Sequence, residues 1–132
     1  MTVLPSENAA LNMALSPDGR VAAILDVKNR IHLVDVGTGL RTAAFHTTTE
    51  NPTLNFSPDG RLLAARGTSD TEVVIWDVAE RKLNARLSEF KQWAAHFAFS
   101  PDGNTLAVVD RRRDADVSEI GLWDLQTQTP LK

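Results

Sequence analysis

Apolar residues fall along this chain in runs of four to six, each closed by turn residues, and none continues into a sustained helical period. Residues 11–15, 21–25, 31–36 and 40–45 form one set of such runs. A second set occupies 53–56, 62–65, 73–78 and 83–87, and a third begins at 94–99, 106–109 and 120–125. Short runs rich in Val, Ile, Leu and Phe between turn residues predict β-strands. They are too short for helices. Only 78–90 carries a weak helical period; its counterparts in the other sets do not, so a turn followed by a strand is predicted there.

The three sets are copies of one unit. Ser-Pro-Asp-Gly stands at Ser16-Pro17-Asp18-Gly19, Ser57-Pro58-Asp59-Gly60 and Ser100-Pro101-Asp102-Gly103, with successive serines 41 and 43 residues apart. A second landmark, an apolar run ending in aspartate plus one more apolar residue, keeps pace with it. It reads Val34-Asp35-Val36, then Trp76-Asp77-Val78, then Trp123-Asp124-Leu125. Units near 5–46, 47–88 and 89–132 follow, each of four strands, the last strand falling near Pro130. In the tetrapeptide, proline presets φ at about −65° for the first central position of a type I turn, and aspartate tolerates the second. Glycine supplies the left-handed residue that a tight hairpin needs, and the serine hydroxyl can bond back to the turn. All three tetrapeptides are therefore assigned to holding hairpins, not to catalysis.

Composition changes the picture by exclusion. The 132 residues, 42% of them apolar, are enough for one domain core. A formal charge of −3, from 17 acidic and 14 basic side chains, lacks the basic excess of a polyanion binder, so no nucleic-acid partner is expected. The absence of cysteine removes disulfides, thiolate metal sites and a cysteine nucleophile. No apolar stretch approaches the roughly 18 to 20 residues that span a bilayer, so no membrane partner is expected either. Residues 1–10 carry no Lys or Arg and no apolar core, unlike a secretory signal. The expected compartment is the cytoplasm.

The residues Phe56-Ser57-Pro58-Asp59-Gly60, with Ile75-Trp76-Asp77-Val78 after them, resemble the Trp-Asp (WD) repeat of β-propellers. The likeness returns in 99–103 with 122–125, and more weakly in 15–19 with 34–36, so it covers nearly the whole chain. It is nearest to the divergent bacterial propellers rich in Ser-Pro-Asp-Gly. The unit length agrees with about 40 to 45 residues per four-stranded blade. The resemblance implies an all-β fold of propeller blades: three four-stranded antiparallel repeats, an incomplete ring or a segment of a six- to eight-bladed propeller. It makes Asp35, Trp76, Asp77, Trp123 and Asp124 the repeat signature, and Asp70 the match to the family's aspartate six residues before the Trp. Lys28 and Val117 take that place in the outer units, and only His46 stands near the family's Gly-His position. The family's buried network of aspartate, histidine, hydroxyl and tryptophan can thus be complete in the middle unit at most. Apolar packing is expected to carry the blades.

Little in the chain points to chemistry. His32 and His96 sit within strands, on the face opposite their apolar neighbours, and are read as structural or surface residues. The loop 110–119 is the main insertion; Arg111, Arg112 and Arg113 there suggest recognition of an acidic partner, although four local carboxylates balance them. Trp93 and His46 are the other candidate partner contacts. No phosphate loop or nucleophile elbow is present, and no cofactor or metal is implied. The expected function is a non-catalytic scaffold for protein–protein interaction. The alternative is the propeller portion of a larger hydrolase, kinase or signalling ATPase whose catalytic residues lie outside this chain.

Three blades are too few for a closed ring, which takes about 4 to 8. Two explanations compete: a fragment of a longer propeller, or copies joined head to tail, two of which make six blades. In either case the outer strand near Pro130 is expected to be half built, with residues 1–4 supplying the matching half.

Overall fold

The computed structural model describes residues 9–47, 53–66, 72–88, 93–111 and 118–131. Each unit folds on itself. The first contains β1 (Ala10–Leu15), β2 (Val21–Asp26), β3 (Arg30–Asp35) and β4 (Arg41–His46); the second contains β5 (Asn55–Phe56), β6 (Leu62–Arg66), β7 (Val73–Asp77) and β8 (Lys82–Leu87). The third contains β9 (Trp93–Phe99), β10 (Thr105–Arg111), β11 (Ser118–Asp124) and β12 (Thr129–Leu131). Within each unit every strand pairs antiparallel with its sequence neighbour, giving three four-stranded sheets. The chain is all-β, and its sheets are propeller blades.

Turn chemistry sets the ends of the strands. In the first unit the Ser16 hydroxyl donates to Asp18 Oδ1 at 2.7 Å and accepts from the Val21 amide at 3.0 Å, while the Arg20 amide donates to the same carboxylate oxygen at 3.0 Å. Ser57 and Asp59 repeat these bonds with Arg61 and Leu62, and Ser100 and Asp102 repeat them with Asn104 and Thr105. The fourth residue lies at φ near +75° in all three turns (Gly19 73°, Gly60 75°, Gly103 75°), a conformation glycine adopts without steric cost. The Ser hydroxyl, then the backbone amide, hold the carboxyls of Asp18, Asp59 and Asp102 below their ordinary value of 3.8.

The sign of this linkage is that of a depressed carboxylate. The stability it contributes is complete above pH 3.8 and is lost as pH falls through the lowered folded values. A triple variant Asp18→Asn, Asp59→Asn, Asp102→Asn is therefore expected to lose less stability than the parent between about pH 4 and pH 2. Thermal melts across that range check it; equal acid slopes for the two proteins would reject it.

The signature aspartates cap the turn at the end of each third strand. Asp35 Oδ1 accepts from the Thr38 amide, Asp77 Oδ1 from the Glu80 amide, and Asp124 Oδ1 from the Gln126 amide, each at 2.8 Å. For that reason Val36, Val78 and Leu125, predicted as strand, are turn residues. Their amides instead reach the neighbouring hairpin: Val36 to Arg20 O at 2.9 Å, Val78 to Arg61 O at 2.9 Å, and Leu125 to Asn104 O at 2.8 Å. Both kinds of turn thus lie at one end of each blade.

One further expectation changes. The insertion at 110–119 is partly strand, because β10 and β11 run on until Asp110 faces Glu119 and Arg111 faces Ser118. The outer strand of the third unit is short, as expected: β12 has three residues where β4 and β8 have six, with Leu131 facing Leu122 and Pro130 facing Trp123. Proline is tolerated there because β12 is an edge strand. Residues 1–4, the expected second half of an outer strand, lie outside the described residues.

The core lies between blades. Alternation along β2 sends Ala23 and Leu25 toward the second blade, and Ala22 and Ile24 to the opposite face. The first joint brings Leu25, Ile31 and Leu33 against Leu63, Ala65 and Val74. There the Trp76 and Phe45 rings stack with centroids 3.9 Å apart and planes 12° from parallel. The second joint brings Val73, Ile75 and Leu87 against Phe97, Leu106 and Trp123. Side chains stitch the same joints: Thr47 Oγ1 donates to Arg66 O at 3.1 Å, and Asn55 Nδ2 donates to Phe97 O. Gln128 Nε2 also reaches Asn84 O, at 3.2 Å.

Candidate functional site

Three polar clusters are candidates for chemistry. The first is buried on blade one. Asp26 ends β2 and is fully buried. Its Oδ1 accepts the amides of Lys28 at 2.9 Å and Arg30 at 3.0 Å, closing the β2–β3 turn around Asn29, whose φ is +61°. Its Oδ2 lies 2.9 Å from His32 Nε2, and 3.9 Å from Arg30 Nε. His32 Nδ1 in turn faces Arg41 Nη1 at 3.4 Å. A guanidinium only donates, so Nδ1 accepts and Nε2 carries the proton given to Asp26.

A carboxylate orienting an imidazole is also the first half of a catalytic triad. Here the second imidazole nitrogen meets a cation, not a hydroxyl or thiol, so no nucleophile is activated. The cluster is a structural pin. It is a different arrangement from the aspartate–histidine–hydroxyl–tryptophan network allowed in the middle unit at most, for Val34 stands where that network has its tryptophan. Sequence reasoning missed Asp26, Arg41 and Thr47. A signal for Asp26 was present, since an aspartate follows the serine by ten residues in the first and third units (Asp26, Asp110), where the second has Gly67.

The second cluster lies where the turns of blades one and two meet. A groove of about 310 Å³ is lined by Asp35, Thr42, Asp59, Arg61, Ala79 and Arg81, among others. A Cβ placed on Gly60 would sit 3.7 Å from Pro17 and 3.8 Å from Ser16, which shows how closely the two hairpin turns approach. Both carboxylates are already engaged, Asp35 by Thr38 and Asp59 by Ser57. Two acids, Asp35 and Asp59, and two bases, Arg61 and Arg81, leave its wall without net charge. Arg81 stands at φ +57°, where the matching residue of the first unit is Gly39 at +72°.

The third is the opposite end of the blades. His46 closes β4 there, facing Arg30 across the strand pair, and is exposed. Arg86 Nη1 donates to Glu72 Oε1 at 2.9 Å. His96 is exposed beside Val109. Trp93 opens β9 opposite Arg111, the last residue of β10. The side chains of Trp93 and Arg111 lie outside the described residues, as do Asp70, Arg112 and Arg113. Among the described residues, no group of three or more His, Asp or Glu is placed to hold a metal ion.

No family model matches the sequence. The WD repeat-containing protein VIP3 of Arabidopsis thaliana is 28% identical over 109 aligned residues, covering 72% of this chain and 34% of that protein. The Superkiller complex protein 8 of Dictyostelium discoideum is 40% identical over 53 residues, covering 40% of this chain and 18% of that protein. The chain thus spans a third or less of these relatives. Among solved structures, Kuenenia stuttgartiensis hydrazine synthase superposes with a TM-score of 0.75 at 19% identity, over all of this chain and 37% of that one, a likeness of fold alone. By repeat, by fold and by these relatives, the chain is similar to WD-repeat proteins at low identity.

Proposed function

We propose that this chain is a non-catalytic propeller segment that presents its loops to a protein partner, in the cytoplasm. One observation carries the reading: the recurring polar side chains described in the blades are spent on holding turns and joints. The Ser-Asp pairs close hairpins, Asp35, Asp77 and Asp124 cap turns, and Asp26 with His32 pins a strand pair. A frame whose turn aspartates and Asp26–His32 pair are engaged in this way offers surfaces, and loops on such a frame carry specificity. Similarity to a WD repeat-containing protein supports it.

Within this reading the arginines 111–113, with Trp93 and His46, form the partner-binding edge. An Arg111→Ser, Arg112→Ser, Arg113→Ser variant is expected to weaken partner retention at least tenfold, the scale of losing one or two charge-assisted contacts. Quantitative pull-down against the parent measures it. Equal retention of a saturable partner by both proteins would sink the assignment of this edge.

The alternative places the same blades in a larger enzyme that carries its catalytic residues elsewhere. It is compatible with the partial coverage of longer relatives. A full-length protein that turns over substrate with these loop arginines replaced would favour it.

A further inference from the structure

The repeat fixes which positions correspond, so the turn ends of the two joints can be compared residue by residue. In the second joint amide side chains close blade three onto blade two. Gln128 stands four residues after its signature aspartate, and its Nε2 donates at 3.2 Å to the carbonyl of Asn84, the bulge residue of β8. In the same turn Gln126 Nε2 donates to Asn104 Oδ1 at 3.4 Å. At the first joint Arg81 stands for Gln128, Ala79 for Gln126, Arg61 for Asn104, and Thr42, the bulge residue of β4, for Asn84. All four line the groove of about 310 Å³. Ala79 has no amide to give, and among the described residues neither the Arg61 nor the Arg81 guanidinium has a hydrogen-bond or ion-pair partner.

The backbone marks the same position. Arg81 holds φ +57° and Gln128 φ +58°, a conformation that glycine takes freely at Gly39 but that strains a residue with a side chain. In blade three that side chain is bonded across the joint. In blade two the Arg81 side chain, held in the same way, meets no such acceptor. A guanidinium matches a carboxylate through two parallel bonds. The carboxylates on the wall are turned to their own turns: Asp35 Oδ1 accepts from the Thr38 amide, and Asp59 Oδ1 from the Ser57 hydroxyl and the Arg61 amide. A wall without net charge suits one acid on an otherwise neutral ligand better than a polyanion. Edge strands offer main-chain groups to an extended peptide.

We propose that this groove binds an extended segment of a protein partner. Arg61 and Arg81 grip one acidic side chain of that segment, and its amides meet β4 at Thr42 as Gln128 meets β8 at Asn84. The site lies at the end of the blades away from the loop arginines 111–113 and is separate from the edge assigned above.

Chemical-shift titration of the isotope-labelled protein tests this, with the capped peptide Ac-Ala-Ala-Glu-Ala-Ala-NH2 as probe and its Gln counterpart as control. Saturable shifts are expected at the amides around Thr42, Arg61 and Arg81, with the Glu peptide bound at least tenfold more tightly than the Gln peptide, the scale of one charge-assisted pair. Arg61→Asn and Arg81→Gln each install the residue that blade three already uses. Each is expected to weaken the Glu peptide about tenfold and leave the Gln peptide unchanged, which a merely structural role would not do. The comparison of the two peptides on the parent decides the matter by itself, whatever the variants' stability. No saturable shift, equal affinity for the two peptides, or the same shifts at the same strength from acetate alone would each overturn the proposal. Residues 111–113 take no part in this titration, so its failure leaves the pull-down result untouched, and the two readings fail separately.

Discussion

Asp26→Ala is expected to lower the unfolding free energy by about 3 kcal/mol, the scale of stranding several buried donors at once. The aspartate is fully buried, and it accepts from the Lys28 and Arg30 amides as well as from His32. Removing it leaves a buried imidazole N–H without its acceptor and frees the β2–β3 turn. The second blade makes the counter-test, because Val74 stands there where blade one has His32. Adding His32→Val to the alanine variant removes the stranded donor and is expected to recover about 1 kcal/mol or more. Urea denaturation of the two variants and the parent, fitted with a common slope, measures both effects. A loss below about 1 kcal/mol for the single variant would show that the cluster is not a pin.

Leu63→Ala is expected to cost about 3 to 4 kcal/mol, the range of large-to-small changes in close-packed cores. Leu63 is fully buried in the first joint, beside Leu25, Leu33 and the Phe45–Trp76 stack. Its removal leaves a cavity between two blades that the β-ladders on either side keep from collapsing. The expected consequence is local as well as global: hydrogen exchange in β3 and β6 accelerates before exchange in the third blade. Chemical denaturation gives the energy and exchange gives the place. A variant that loses stability with uniform acceleration across all three blades would show that the joints are not separable units.

Particular elements show how far the sequence could be read. The hairpin turns were legible because their causes are local: Pro, Asp and Gly at fixed offsets act on their own backbone, whatever packs nearby. Strand positions were legible because a two-residue alternation within each repeat records which side faces apolar neighbours. Strand ends were less so. Val36, Val78 and Leu125 read as strand by hydrophobicity, yet the capping aspartate before each turns the chain first. The length of the β10–β11 arm was missed for the opposite reason, since Asp110 and Glu119 look like loop residues and still satisfy a ladder.

The buried cluster of blade one separates the two levels most clearly. Its residue types and their alternation with apolar neighbours are visible in the chain, and so is the recurrence of an aspartate ten residues after the serine. Whether His32 meets water or Asp26 depends on how β2 and β3 are registered, with Ile24 opposite His32, and on Arg41 reaching across from β4. Pattern and turn chemistry, being local, were enough for three all-β repeats and their hairpins. Burial of a polar group and the packing of one blade on the next depend on residues tens of positions apart. Those were decided only when the sheets packed.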